Sequence, residues 1–308
     1  MWRVVLLVCF LSCTPSPQGE KLSAWMGNSP KIKVLSTIAM IDDLVKQVGG
    51  EYVDTLVLIQ GEIDPHSYTL VKGDDEKFEH ADLIFYNGLG LEHGASLSYR
   101  LQEATYAVAL GERISPESLI RVGGEVDPHI WMDVRLFSQV VEPIAEALAE
   151  IDPVHKEIYL ANAETLKKTM LLADQRFEEI LTSIQEEKRY LVTTHDAFHY
   201  FVRRYFSQGE DWMTRCRAPE GLAPDGQMSV QSLSDVVNHL LRYQISVVFP
   251  ETNVNAASLQ KIVGVCKEKG QTVRLAQTFL LGDSMGDKRG YLEMMEYNVA
   301  IIQKELSE

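Results

Sequence analysis

Short apolar runs alternate along this chain with longer stretches in which apolar residues recur every three to four positions. Lys31–Ser36 reads as a strand, and the periodic stretch Ile38–Val48 reads as a helix closed by Gly49-Gly50. The alternation continues through a strand at Thr55–Ile59, a short helix at Lys72–His80, strands at Leu83–Tyr86 and Tyr106–Leu110, and an amphipathic helix at Asp133–Ile151. From Pro153 to Glu187 there is no internal Gly or Pro, and apolar residues fall at Ile158, Leu166, Met170, Phe177, Ile180, Leu181 and Ile184. This predicts one helix of about 30 residues, roughly 45 Å long, which is a rod and not a flexible linker.

Beyond the rod the pattern restarts. Strands are expected at Tyr190–Thr193, Ser246–Phe249 and Thr272–Leu275, with helices at Ala197–Tyr205, Ser232–Tyr243, Ala256–Lys269 and Tyr291–Leu306. A Gly/Pro-rich excursion occupies Ser207–Gly226. Strand-then-helix repetition of this kind predicts an α/β fold of two lobes, each a mainly parallel β-sheet flanked by helices, joined by one long rigid helix. The lobes are expected at 31–152 and 188–308, with the joining helix at 153–187.

The N-terminus reads differently: Arg3, an apolar run Val4–Leu11, then Ser12-Cys13 and a polar stretch. The run is too short to span a bilayer and has the makeup of a secretory signal peptide over 1–12. A cysteine directly after the small residue resembles a bacterial lipobox, Phe10-Leu-Ser-Cys13, although Phe10 is unusual at its first position. Lipidation at Cys13 and a polar tether over 13–30 follow as expectations. In an exported chain, Cys216 and Cys266 would then remain to form a disulfide or stay as thiols.

Composition narrows the partners. With 45% hydrophobic residues in 308 the chain has a real core, and 29 basic against 44 acidic residues leave a net charge of −15. No basic cluster long enough to track phosphates is present, which argues against nucleic acid.

Histidine is the scarce chemical resource, at eight residues. His66 and His129 share the tripeptide Asp-Pro-His, in which proline fixes its own φ and extends the preceding Asp. His195 follows the strand at 190–193, and Asp283 lies in a glycine-bracketed loop after the last strand. In parallel α/β sheets the carboxyl ends of strands form the ligand crevice. Three imidazoles and a carboxylate there make a four-ligand site for Zn²⁺, or a higher-coordinate one for Mn²⁺ or Fe²⁺. His93 and His199 are the nearest competitors, whereas His80, His155 and His239 fall in or beside helices. Glu251, after a strand, is either a further ligand or the acceptor that orients a ligand imidazole.

The segments Ile63–Tyr68, Asn87–His93, Asp127–Trp131, Thr194–Phe201, Phe249–Asn253 and Gly282–Gly286 together resemble, in content and order, the metal-binding proteins of the manganese/zinc/iron ABC importers. Residues 63–73, 190–205 and 214–224 are especially similar to the chlamydial type of that family. The resemblance implies metal ligands at His66, His129, His195 and Asp283, a rigid interlobe helix, a likeness to lipid-anchored or periplasmic monomers, and partnership with a permease and its ATPase. It implies no enzymatic step. The His/Asp/Glu-rich loop of dedicated zinc importers is absent, and His stands at 195 where strict manganese binders carry Glu. The transported ion (Zn, Mn or Fe) stays open at this point. A metal-dependent hydrolase and an adhesin with a structural ion are the alternatives; no His-Glu-x-x-His segment supports the first.

Overall fold

The computed structural model describes residues 17–207, 209, 211–224 and 229–307. The first lobe runs through α1 (Pro17–Met26), β1 (Ile32–Ser36), α2 (Ala39–Gly49), β2 (Val53–Val57), α3 (Asp74–His80), β3 (Leu83–Tyr86), α4 (Ala95–Glu103) and β4 (Ala107–Ala109). Its four strands are parallel in the order β2-β1-β3-β4, with Val34 opposite both Thr55 and Leu83. Val34, Leu35 and Ser36 of the central strand are fully buried, as expected where helices cover both faces. A two-stranded antiparallel pair follows, β5 (Arg121–Val122) and β6 (Glu125–Val126), then α5 (Val134–Phe137) and α6 (Val141–Ile151).

The joining helix α7 (Lys156–Thr182) has 27 residues, about 40 Å at 1.5 Å per residue. Tyr159, Ala163, Leu166, Met170, Phe177 and Leu181 fall on one buried face at helical spacing. The second lobe comprises β7 (Leu191–Val192), α8 (His199–Tyr205), α9 (Trp212–Arg215), β8 (Cys216–Arg217), α10 (Val230–Tyr243), β9 (Val247–Val248), α11 (Ala257–Glu268), β10 (Arg274–Leu275) and α12 (Tyr291–Ser307). A parallel bridge between Thr193 and Phe249 joins the pairs β8-β7 and β9-β10 into one parallel array.

Several sequence expectations are corrected. The stretch 13–30 is not a free tether throughout: α1 lies within it, and the apolar ring of Trp25 is buried with Nε1 donating to Asp54 O at 3.0 Å. The helix expected over 133–151 is interrupted by a 3-10 turn at Ser138–Val140, where Ser138 Oγ donates to Arg135 O and Pro143 has no amide to donate one turn back. The rod is shorter than 153–187 because 3-10 turns occupy Pro153–His155 and Glu186–Lys188. The excursion at 207–226 carries α9 and the edge strand β8. Cys216 and Cys266 are free thiols, buried in different apolar clusters. The signal peptide and Cys13 lie outside the described residues, and among those described no helix is long and apolar enough to cross a membrane.

One apolar cluster is continuous from Val34 and Phe85 through Trp131 and Phe137, along Met170 and Phe177 of α7, to Phe201, Phe249 and Met294 in the second lobe. Each lobe adds its own outer cluster, around Leu35 and Leu97 in the first and around Leu240 and Ile262 in the second. The lobes are therefore welded at their base, and their strand ends face each other across the cleft.

Candidate metal centre

Both Asp-Pro-His tripeptides fold the same way. Asp64 Oδ1 accepts the His66 amide at 2.9 Å, and Asp127 Oδ1 accepts the His129 amide at 2.9 Å. A carboxylate capping the amide two residues on is an Asx turn, and the intervening proline stiffens it. The repeated tripeptide is thus a device for setting the direction of the imidazole that follows. In the second lobe, His195 sits in the loop between β7 and α8, and Asp283 in the loop between β10 and α12.

The four side chains converge. One ligand atom from each of His66, His129, His195 and Asp283 lies within 4.8 Å of all the others, and all four residues are buried. His66 Nε2 is 3.2 Å from His129 Nε2. Asp283 places Oδ1 3.4 Å from His129 Nε2, and Oδ2 3.1 Å from His195 Nε2 and 3.8 Å from His66 Nε2. A tetrahedral ion with bonds of about 2.0–2.1 Å spaces its ligands by about 3.3–3.4 Å, within the 3.1–3.8 Å range of these four separations. Among the described residues, the buried His195 Nε2 and Asp283 Oδ1 meet no hydrogen bond of good geometry and have only the other members of this group as near neighbours, so their lone pairs are directed at one another's surroundings where a cation would fit.

Surrounding groups hold these ligands in place. Asp127 Oδ1 also stands 2.7 Å from His129 Nδ1, while its Oδ2 is 2.9 Å from His199 Nδ1. Tyr200 donates its hydroxyl to Asp127 O at 2.8 Å. Glu251 Oε2 is 2.8 Å from His195 Nδ1, and its Oε1 accepts the amides of Thr194 and His195 at 2.9 and 3.0 Å. Trp131 Nε1 donates to Gly282 O at 2.9 Å, linking the His129 and Asp283 loops across the cleft. A Cβ at Gly282 would collide with Glu251 Oε2, so only glycine lets these loops pass. Asn253 Nδ2 donates to Asp283 Oδ2 at 3.1 Å.

The structure separates the other histidines from this group. His80 is exposed with Nδ1 on Glu76 O, His155 stacks on Tyr52 and pairs with Asp152, and His239 is a buried residue of α10 itself. His93 lies near His66, with ring centroids 5.8 Å apart, but outside the four. His199 is a support and not a member. Sequence reasoning read Asp127 only as part of the repeated tripeptide, and Trp131 and Asn253 only as part of the motifs that carry the resemblance; the hydrogen bonds by which they support the ligands had no sequence signal.

Burial and charge set the protonation of the site. Burial drives His66 down to about 3, so its imidazole is neutral. Burial also opposes a charge on His195, but Glu251 and Asp283 outweigh it and hold that imidazole well above its ordinary value. Burial opposes ionisation of Asp283 too; His195, His129 and His66 overcome it and keep the carboxyl below its usual range. Asp127 is likewise held at about 2, against burial, by His129 and His199.

Residues 34–305 match the family described as ZnuA, zinc-uptake complex component A, periplasmic. Metal-binding protein YtgA of Chlamydia trachomatis is 40% identical over 97% of this chain and 94% of its own length. The crystal structure of Fe(III)-bound YtgA superimposes with a TM-score of 0.85 over 90% of this chain and 98% of that one. Manganese-binding lipoprotein MntA of Bacillus subtilis is 30% identical over 92% of both chains. The periplasmic zinc-binding protein TroA of Treponema pallidum has a TM-score of 0.83 at 27% identity, covering 90% of this chain and 100% of that one. The same two-lobe fold, the motif order and the match over most of the length agree: the chain belongs to the periplasmic zinc-uptake component A family of metal-binding proteins.

Proposed function

We propose that this protein captures a divalent transition-metal ion outside the cytoplasmic membrane with His66, His129, His195 and Asp283, and delivers it to the permease of an ABC importer powered by its ATPase. The observation that carries this reading is the buried convergence of three imidazole nitrogens and one carboxylate within 4.8 Å, two residues from each lobe. Such a set suits Zn²⁺ as it stands, and Mn²⁺ or iron with the carboxylate bidentate or water added. Relatives named for Fe(III), manganese and zinc span that same range. Glu251 is read as the acceptor that orients His195, because its other oxygen is committed to two backbone amides.

Its relatives are periplasmic or lipoprotein components, and the family is one of capture proteins and not of enzymes. A signal peptide over 1–12, lipid on Cys13 and a monomeric state complete the proposal. Loss of lipid labelling in Cys13→Ala expressed in a bacterial host tests the anchor.

Calorimetry on His66→Ala, His129→Ala, His195→Ala and Asp283→Ala tests the site. Each variant is expected to lose most of its affinity for Zn²⁺, Mn²⁺ and Fe²⁺ while keeping the circular dichroism of the parent. Parental affinity in any one removes that residue from the site.

A further inference from the structure

We infer that Asn253 sets which ions the site prefers: it holds the Asp283 carboxylate edge-on, so that both oxygens reach the ion and the seat is five-coordinate. This rests on the capture reading above. A four-coordinate seat needs one carboxylate oxygen, yet both stand among the imidazoles. Oδ1 is 3.4 Å from His129 Nε2, while Oδ2 is 3.1 Å from His195 Nε2 and 3.8 Å from His66 Nε2. An ion between the three nitrogens therefore meets the edge of the carboxylate and not one corner of it. Three imidazole nitrogens and a bidentate carboxylate make five donors. Zn²⁺ settles at four in nearly every closed site, whereas Mn²⁺ and Fe²⁺ accept five or six.

The terminal torsion of an aspartate is soft, so a carboxylate stays edge-on only if something grips it. Asn253 supplies the grip, its Nδ2 donating to Asp283 Oδ2 at 3.1 Å from the loop that follows β9. That loop is bound to the Asp283 loop through the backbone: Leu280 N donates to Pro250 O at 2.9 Å, and Thr252 N to Leu280 O at 3.0 Å. Asn298 of α12, fully buried, fixes the next residue by accepting the Leu281 amide at 2.9 Å and donating to Leu281 O at 2.8 Å. Donor and carboxylate thus belong to one framework, and the hydrogen bond between them sets the rotation of the carboxylate.

The other end of the amide argues for this role. Among the described residues Asn253 Oδ1 is buried with no hydrogen-bond partner, a cost that an apolar side chain of the same size would avoid. What the amide supplies instead is the Nδ2 donor, and its acceptor is the one carboxylate among the four ligands. Asn253 Oδ1 stands 3.5 Å from where a Cβ of residue 282 would be, so the glycine that makes room for Glu251 also makes room for Asn253. Asn253 is a positioning residue that acts through Asp283.

Cobalt absorption and calorimetry on the whole chain test this. Co²⁺ absorbs weakly in the visible when five-coordinate and intensely when tetrahedral, so the parent is expected to give weak bands and Asn253→Ala strong ones. In calorimetry Asn253→Ala should weaken Mn²⁺ binding about tenfold and leave Zn²⁺ binding close to parental. Asn253→Leu, which keeps the volume and removes the donor, should do the same. An unchanged ratio of Mn²⁺ to Zn²⁺ affinity in Asn253→Ala overturns the inference, as do equal losses for both ions, a parental ratio in Asn253→Leu, or intense tetrahedral bands in the parent. Failure of the parent to bind any of these ions, or parental affinity in Asp283→Ala, strikes the capture reading instead.

Discussion

His195 is flanked by two carboxylates, Glu251 at 2.8 Å from Nδ1 and Asp283 at 3.1 Å from Nε2. They hold its pKa well above the ordinary value, so without an ion the imidazole is protonated at neutral pH. A metal that takes Nε2 must expel that proton, and affinity should therefore rise with pH through the neutral range. Calorimetry in buffers of different ionisation enthalpy should find about one proton released per ion; proton-neutral binding would contradict this assignment. Glu251→Gln keeps the shape but loses the charge, and should weaken binding roughly 10–100-fold, less than His195→Ala. His199 makes a separate prediction. Burial opposes its charge, but Asp127 and Asp196 raise it to about 9. Its folded pKa exceeds the unfolded value of about 6.5, so its contribution to stability is full below that pH and is lost as pH rises through about 9. The stability gap between the parent and His199→Gln in urea should shrink across that window. The four ligands were legible because scarce side chains stood at strand ends in repeated or glycine-bracketed motifs. Asp127 was legible only as a member of the repeated tripeptide; its place between the imidazoles of His129 and His199 shows only once the chain is folded.

At the scale of elements, α7 does more than separate the lobes. Its Asp174 is fully buried and accepts from Arg135 of α5 at 3.1 Å, from Arg204 of α8 at 2.9 and 2.6 Å, and from the Tyr205 hydroxyl at 3.0 Å. One carboxylate on the rod thus gathers groups from both lobes. Asp174→Ala leaves Arg204 with Glu178 alone, at 2.6 Å, and takes the acceptor from the Tyr205 hydroxyl, and should cost roughly 1–3 kcal/mol in urea unfolding. A cost near zero would show that the junction is held by apolar packing alone. The rod was readable from its unbroken periodicity, and the strands of the first lobe from their apolar runs. The strand expected at Thr55–Ile59 forms at Val53–Val57, because pairing with β1 sets its register and not the local run. Helix α4 went unread because Gly94, Ser96, Ser98 and Tyr99 blur its periodicity; only Leu97 and Leu101 are buried. In the second lobe β7, β9 and β10 fall inside the strands expected at 190–193, 246–249 and 272–275, though each spans only two residues, and β8 lies inside a stretch that reads as loop.

For the whole molecule, the decisive feature is that one apolar cluster runs through both lobes and α7 while the site itself draws on both lobes. Because that apolar cluster and not the site spans the junction, chelated protein should keep its secondary structure and unfold cooperatively. Ion at a thousandfold excess over Kd should add about 4 kcal/mol of stability through mass action. Collapse on chelation would instead mark a structural ion. The shared base and the Trp131–Gly282 hydrogen bond also leave room for small rotations only, so capture should proceed without a large change in radius of gyration by X-ray scattering. The most direct measurement is anomalous diffraction from crystals of the metal-loaded protein. One peak is expected within about 2.0–2.3 Å of His66, His129 and His195 Nε2 and of an Asp283 oxygen; a peak elsewhere, or one lacking any of these four, would contradict the assignment.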